Sequence, residues 1–467
     1  MAAPYPKKDN EFVAWYPLDL TRDLAAAVWH RKRAGYYVHI PFCTAICDYC
    51  GFSVERLKGS NATGYLDALK QEIRRYAEAR RVANYRFVCG HFGGGTPSAI
   101  PASDLISVKA LIDQSFDVAD DAEITVEVNP ISFTPTMACS YREAGINRIS
   151  FGVQSFNDRT LAVIGRPHRA ADVSTTLSAI REGGFDNYSL DLIYGVPGQT
   201  FDELKTDLAK IIDTGATHVS SFRLEIIPLT KLKLREAARL LPARLPDEVL
   251  NEMDQLVSDA LTRAGYRPYG AFNYAKPGYE SVHNEIAFMA PQGEYIGFGN
   301  SAYSYINDHV YCNYADVEEY KAAVFSENEP IALAARVNSL QKQARYFVLG
   351  LKFFQVSRGR FMDEFGVPPE SVFGSILEAL AARQLLLLED DQYVLTALGK
   401  KYVNNVIKEF FIGASVGMNQ YPQFVSNLTV NEITRYAKLA DSALGHPPEV
   451  STLVPRDCRE LPHIEER

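Results

Sequence analysis

Three cysteines, Cys43, Cys47 and Cys50, lie in the run Tyr37-Val-His-Ile-Pro-Phe-Cys-Thr-Ala-Ile-Cys-Asp-Tyr-Cys50, with the spacing C-x3-C-x2-C. Three thiolates on one short loop suit three corners of a [4Fe–4S] cube and leave its fourth iron without a protein ligand. An open iron binds a substrate or cofactor, whereas a four-cysteine site is coordinatively closed. The best-known use of such an iron is to chelate S-adenosyl-L-methionine and break its S–C5′ bond. Structural zinc is the first competing reading, but it wants four ligands, often in two C-x2-C knuckles, and no second knuckle lies nearby. A disulfide framework is the second. The chain has 7 cysteines in 467 residues and no apolar leader, an odd and sparse set for that purpose. Cys89, Cys139, Cys312 and Cys458 are scattered and read as buried apolar residues or spare thiols.

Further residues gain meaning from their position at strand ends. His91-Phe-Gly-Gly-Gly-Thr-Pro97 follows an apolar run. Its glycines let the backbone approach a ligand closely, and their amides could bond the amino-acid half of S-adenosylmethionine; a plain tight turn is the alternative. Glu127 closes one strand, Gln154 follows another, and Asp191 lies inside a third. A charged group among apolar strand residues is costly to bury unless it is paired or binds something. Arg166, in Gly165-Arg166-Pro-His168, could meet a carboxylate or ribose hydroxyls, or serve as an internal ion-pair partner. The Gly- and aromatic-rich stretch Gly297 to Tyr305 could stack a flat ligand or form ordinary core. His283-Asn284 could contact a substrate or lie on the surface.

The elements that must position these groups follow a strand and helix alternation. Strands are expected at 36–40, 86–92, 123–128, 148–152, 188–193 and 218–224, each short, apolar and bounded by Gly, Pro or Asn. Amphipathic helices are expected between them, at 63–83, 171–181 and 201–214, the last with a Thr200 and Glu203 capping box. Six β/α units in a row imply a parallel sheet with right-handed crossovers. The fold class is therefore α/β, an open partial barrel with its ligands at the C-terminal strand ends. From about residue 337 to 411 the period changes to helices followed by a two-stranded ribbon, a winged-helix-like order. The expected organisation is a polar lead-in at 1–34, a barrel and its extension at 35–330, this helical unit at 331–411, and a tail at 412–467. The composition is 47% hydrophobic and 22% charged with a net charge of −9, ordinary for a soluble globular protein and adverse to a nucleic-acid binder or an anionic-membrane binder. No apolar run reaches the length needed to cross a bilayer, so a reducing cytoplasm is the expected location.

Taken together, the segments 37–52, 92–97, 126–130, 151–168, 189–200 and 275–308 resemble radical S-adenosylmethionine enzymes. The resemblance is to the branch of oxygen-independent coproporphyrinogen III oxidase, which also holds heme chaperones and class C radical methyltransferases. It covers roughly residues 36–410 and implies a partial (β/α)6 barrel with a C-terminal, mostly helical domain. By motif it implies Cys43, Cys47 and Cys50 as iron ligands, Tyr49 against the adenine, and Tyr37 at the cluster-bound S-adenosylmethionine. Gly95 and Thr96 would hold its amino and carboxylate groups. Glu127, Gln154, Arg166 and Asp191 match positions that contact two S-adenosylmethionine molecules, and Glu225 and Tyr303 fall where the second is contacted.

Two departures steer the reading within this branch. The oxidases carry a further cysteine where this chain has Phe52, and the chaperones carry a Trp-containing stretch after the His-Asn pair, whereas His283-Asn284 here precedes Glu-Ile-Ala-Phe-Met. What remains is most similar to a class C methyltransferase. That resemblance implies transfer of a methyl carbon, or cyclopropanation, on an unsaturated or aromatic natural-product intermediate. It also implies two S-adenosylmethionine molecules, a reductant such as flavodoxin or ferredoxin, and a monomer bound to neither nucleic acid nor membrane. Porphyrinogen decarboxylation and non-catalytic heme binding are the alternatives.

Overall fold

The computed structural model describes Tyr5, Lys8 and residues 32–59, 61–79, 84–228, 230–288 and 293–412. Most of the lead-in and nearly all of the tail expected from sequence lie outside the described residues. Seven strands run parallel in the order β8, β1, β2, β3, β4, β5, β6. They are β1 (Lys32–Ile40), β2 (Tyr85–Gly94), β3 (Asp117–Val128), β4 (Arg148–Gln154), β5 (Tyr188–Tyr194), β6 (His218–Arg223) and β8 (Glu294–Phe298). Six of these are the strands expected from periodicity. The seventh, β8, was not expected: it lies far along the chain, yet it pairs with β1 through the register Tyr37↔Gly297. Antiparallel additions border the parallel set, with β7 (Asn273–Ala275) beside β6, and β9 (Tyr303–Ile306), β10 (His309–Asn313) and β11 (Ile331–Arg336) beyond β8. With the two-residue strand Arg267–Pro268 paired to β7, the sheet has twelve strands with two free ends, which is an open barrel.

Alternation along each strand separates two faces. Tyr36, Val38 and Ile40 of β1, with Phe87 and Phe92 of β2, are fully buried in the core shared with the helices. Tyr37, His39, His91, Thr125 and Glu127 occupy the other face, inside the barrel. The covering helices include α1 (Asn61–Glu78), α2 (Ala102–Ser115), α3 (Pro135–Glu143), α4 (Ala170–Glu182) and α5 (Phe201–Thr214). The expected capping box of α5 is formed: Thr200 Oγ1 accepts from the Glu203 amide at 3.2 Å, and Glu203 Oε2 accepts from the Thr200 amide at 2.8 Å. A second core gathers Phe347, Phe361, Phe373, Leu380, Leu395 and Phe410. It is built by Ser339–Gly350, Arg358–Phe365, Glu370–Ala382 and the ribbon Leu386–Glu389 with Gln392–Leu395, the helix and ribbon order expected from sequence.

Candidate functional site

The cysteine loop begins where β1 ends. Phe42–Cys43 pairs with Glu55–Arg56, closing the loop into a lobe beyond the C-terminal end of the strand. The glycine run at the end of β2 is laced to it, with the Gly95 amide donating to Ile40 O at 2.8 Å and the Thr96 amide to Phe42 O at 2.9 Å. Those two amides are therefore engaged within the protein. The close approach is the reason for glycine: a Cβ on Gly95 would lie 2.7 Å from the Pro41 backbone. Thr96 Oγ1 instead meets Cys43 Sγ at 3.4 Å. Cys47 Sγ accepts from Arg166 Nη1 at 3.2 Å.

Burial pushes the Cys43 thiol up to about 11 and the Cys50 thiol further, and the neighbouring thiols add to both. The sulfurs are thus close enough to feel one another. Among the described residues no three His, Cys, Asp or Glu side chains gather tightly enough to hold a single ion. A cubane seats each cysteine on a different iron and needs a wider set. The six described cysteines are all free thiols.

The remaining polar groups ring the barrel mouth. Gln154 ends β4 with φ 67, in the left-handed region, and its buried Oε1 has no partner. An orphaned buried acceptor in a strained residue is what a ligand-binding position leaves when described alone. Arg166 is anchored through Nη2 to Gly152 O at 2.7 Å and through Nε to His168 Nδ1 at 3.3 Å. Asp191 is lifted to about 7 by burial and by the Glu127 carboxylate, against the pull of Arg148 and Arg166. Tyr49 packs beside Ile164, Ile193 and Val196. Glu225 is half-buried on the segment after β6. Tyr303 is buried on β9, opposite Cys312 and hydrogen-bonded to its thiol, two strands from Tyr37.

Deeper in the barrel a stack of rings runs from Tyr37 to His91 (6.0 Å, 19°) and from His91 to His283 (4.6 Å, 27°). His91 Nε2 lies 2.8 Å from Glu127 Oε1. Nδ1 of both imidazoles is buried without a partner. Burial holds His283 neutral, with the charges of His91 and Arg148 acting in the same direction. Sequence reasoning passed over His91 and Arg148 as site residues. Strand alternation alone puts His91 on the same face as Gly93, so that signal was present. Asp48, buried between Cys47 and Tyr49, carried none, because its partners are far along the chain.

A family model described as the Radical SAM superfamily matches residues 37–211. Heme chaperone HemW of Bacillus subtilis is 33% identical over 378 residues, 80% of this chain and 98% of that protein. HemW of Escherichia coli is 29% identical over 380 residues, 80% of this chain and 97% of that protein. The solved coproporphyrinogen III oxidase HemN of Escherichia coli, a radical SAM enzyme, superposes with a TM-score of 0.76 at 25% identity, over 86% of this chain and 97% of its own.

These matches overturn the methyltransferase reading, and with it the unsaturated substrate, the cyclopropane product and the flavodoxin or ferredoxin invoked to drive turnover. That reading weighed two local departures above the match along the whole chain, one at Phe52 and one after His283-Asn284 on the helix Val282–Phe288. Phe52 is 49% exposed, so the replaced cysteine position faces outward and constrains little. Membership implies a [4Fe–4S] cluster and S-adenosylmethionine; a second S-adenosylmethionine is not shown. Among the described residues no helix is long and apolar enough to cross a membrane. The chain belongs to the radical SAM superfamily, in the branch that contains HemW and HemN.

Proposed function

We propose that this protein is a heme-binding carrier of the HemW type, which holds a [4Fe–4S] cluster and S-adenosylmethionine and binds heme without chemically changing it. The observation that carries the reading is the near end-to-end match to proteins named heme chaperones, 94–98% of the relative's length in several of them. In this reading Cys43, Cys47 and Cys50 bind three irons. Such a group supplies an open metal site for the amino acid of S-adenosylmethionine. Arg166 and Thr96 orient the cysteine sulfurs, and the orphaned Gln154 Oε1, with Glu127 and Asp191, offers acceptors to the bound cofactor. Tyr37 and Tyr49 supply ring surface. Tyr303, tied to Cys312, is left out of the seat, so the proposal includes one S-adenosylmethionine.

His283 is the imidazole best suited to heme iron. Iron takes a neutral ring nitrogen; this ring is held neutral and keeps Nδ1 uncommitted. The test is anaerobic titration of the cluster-loaded protein with heme, followed by absorbance. The expected result is saturable binding with a shifted Soret band, transfer to an apo-heme protein, and loss of at least tenfold in affinity in H283A. A wild type that ignores heme but releases CO2 from coproporphyrinogen III overturns the carrier reading in favour of the oxidase.

A further inference from the structure

Asp48 sits inside the cysteine loop, next to Cys47 and two residues from Cys50, and it is only 7% exposed. A carboxylate buried there calls for partners, and the structure supplies them from two walls. On one side is the short helix Lys231–Ala237. Arg235 Nη1 meets Asp48 Oδ2 at 2.5 Å, Lys231 Nζ meets Oδ1 at 3.3 Å, and the Leu232 amide donates to the Asp48 carbonyl at 2.6 Å. On the other side is the turn that leads into Arg166. The Asp48 amide donates to Ile164 O at 3.2 Å. Gly165, with φ +68, has no room for a Cβ, which would lie 2.3 Å from Asp48 Cγ. Arg235 spans both walls, because the same Nη1 also donates to Val163 O at 2.9 Å.

The turn so held carries the guanidinium that reaches Cys47 Sγ. We infer that Asp48 and Arg235 form a clamp that fixes the cysteine loop between the 231–237 helix and the Arg166 turn, and thereby sets how firmly the cluster is held and the field it experiences. The inference rests on Cys43, Cys47 and Cys50 being the cluster ligands. Asp48 and Arg235 are positioning residues, since they act through the loop and not on the irons. The two cations differ. Arg235 has a 19% exposed side chain and two acceptors, whereas Lys231 is 39% exposed and makes a looser contact. Exposed pairs contribute little, and breaking a buried pair costs much more.

The experiment compares R235Q, D48N and K231Q with wild type in two states. In the iron-free protein, hydrogen exchange of the amides from Asp48 to Cys50 reads the clamp without any cluster. In the reconstituted protein, the rate of iron loss to a chelator and the EPR signal of the reduced cluster read its consequence. R235Q and D48N should each speed both exchange and iron loss about tenfold and broaden the EPR signal, with K231Q close to wild type. D48N is isosteric and keeps the backbone bonds to Ile164 and Leu232, so it reports even if R235Q fails to fold. Unchanged exchange in D48N overturns the clamp. Faster exchange with wild-type iron retention and an unaltered EPR signal overturns its link to the cluster. A wild type that takes up no cluster overturns the cysteine assignment instead, and the exchange data still decide the clamp.

Discussion

Gln154 carries the clearest conflict between comfort and use in a single residue. A non-glycine backbone at φ 67 costs of the order of 1 kcal/mol, and its carboxamide oxygen is buried with no partner. Neither cost improves packing, and in the proposed reading both are offset by a ligand that donates to that oxygen. Q154G should therefore unfold at the same temperature as wild type or slightly higher, while its affinity for S-adenosylmethionine falls about tenfold. Calorimetric binding and thermal melts measure the two effects separately. A variant that melts lower and binds normally would show that the conformation serves the fold and not the ligand. Residue types marked Gln154 as a candidate from sequence, because a polar group follows an apolar strand. The strain was not legible, since a left-handed φ at a non-glycine position is imposed by tertiary packing and leaves no trace in composition.

At the scale of elements, local period and capping carried the β/α order. Thr200 with Glu203, or the alternation through Tyr36, Val38 and Ile40, is information held within a few residues. Pairings across the chain are not. The parallel contact of β8 with β1 and the Asp48–Arg235 contact, 187 residues apart in sequence, have no local signature. Glu72 on α1 is another such case. It reads as an ordinary helical glutamate, yet it is 1% exposed and ties α1 to the β8–β10 region. It accepts from the Gly299 amide (2.8 Å), Asn313 Nδ2 (2.8 Å) and Tyr320 Oη (2.6 Å). Burial raises it to about 7, outweighing the three donors that pull the other way. A carboxyl raised on folding binds its proton more tightly in the native state. Its contribution is fully present below about pH 4.5, the unfolded value, and is lost as pH rises through about 7. Denaturant unfolding from pH 4 to 8 should show a decline in wild-type stability across this window that is shallower in E72Q. Equal slopes in the two proteins would mean that Glu72 enters the native state already ionised.

The second core is joined to the barrel at several contacts, among them the Lys342–Asp308 ion pair, the Tyr269–Phe353 ring contact and one buried charge. Arg345 lies on the 339–350 helix of the second core, 1% exposed, with its guanidinium 3.7 Å from the centroid of the Tyr305 ring on β9. Tyr305 in turn packs with Val310 and Val337, and Tyr295 of β8 packs against this group. Burial pushes the Arg345 guanidinium down from its usual range, with Tyr305, Tyr295 and Glu294 opposing the shift. Desolvating a cation is expensive, so R345M alone can come out nearly neutral: it removes the contact and the penalty together. The single mutant therefore cannot measure the contact. A double-mutant cycle of R345M and Y305L can, because the desolvation cost of Arg345 appears in both arms and cancels. A desolvated cation over an aromatic face should give a coupling of about 1–2 kcal/mol in denaturant unfolding. Additivity within about 0.5 kcal/mol would show that the guanidinium is held by its other neighbours and that Tyr305 only fills space.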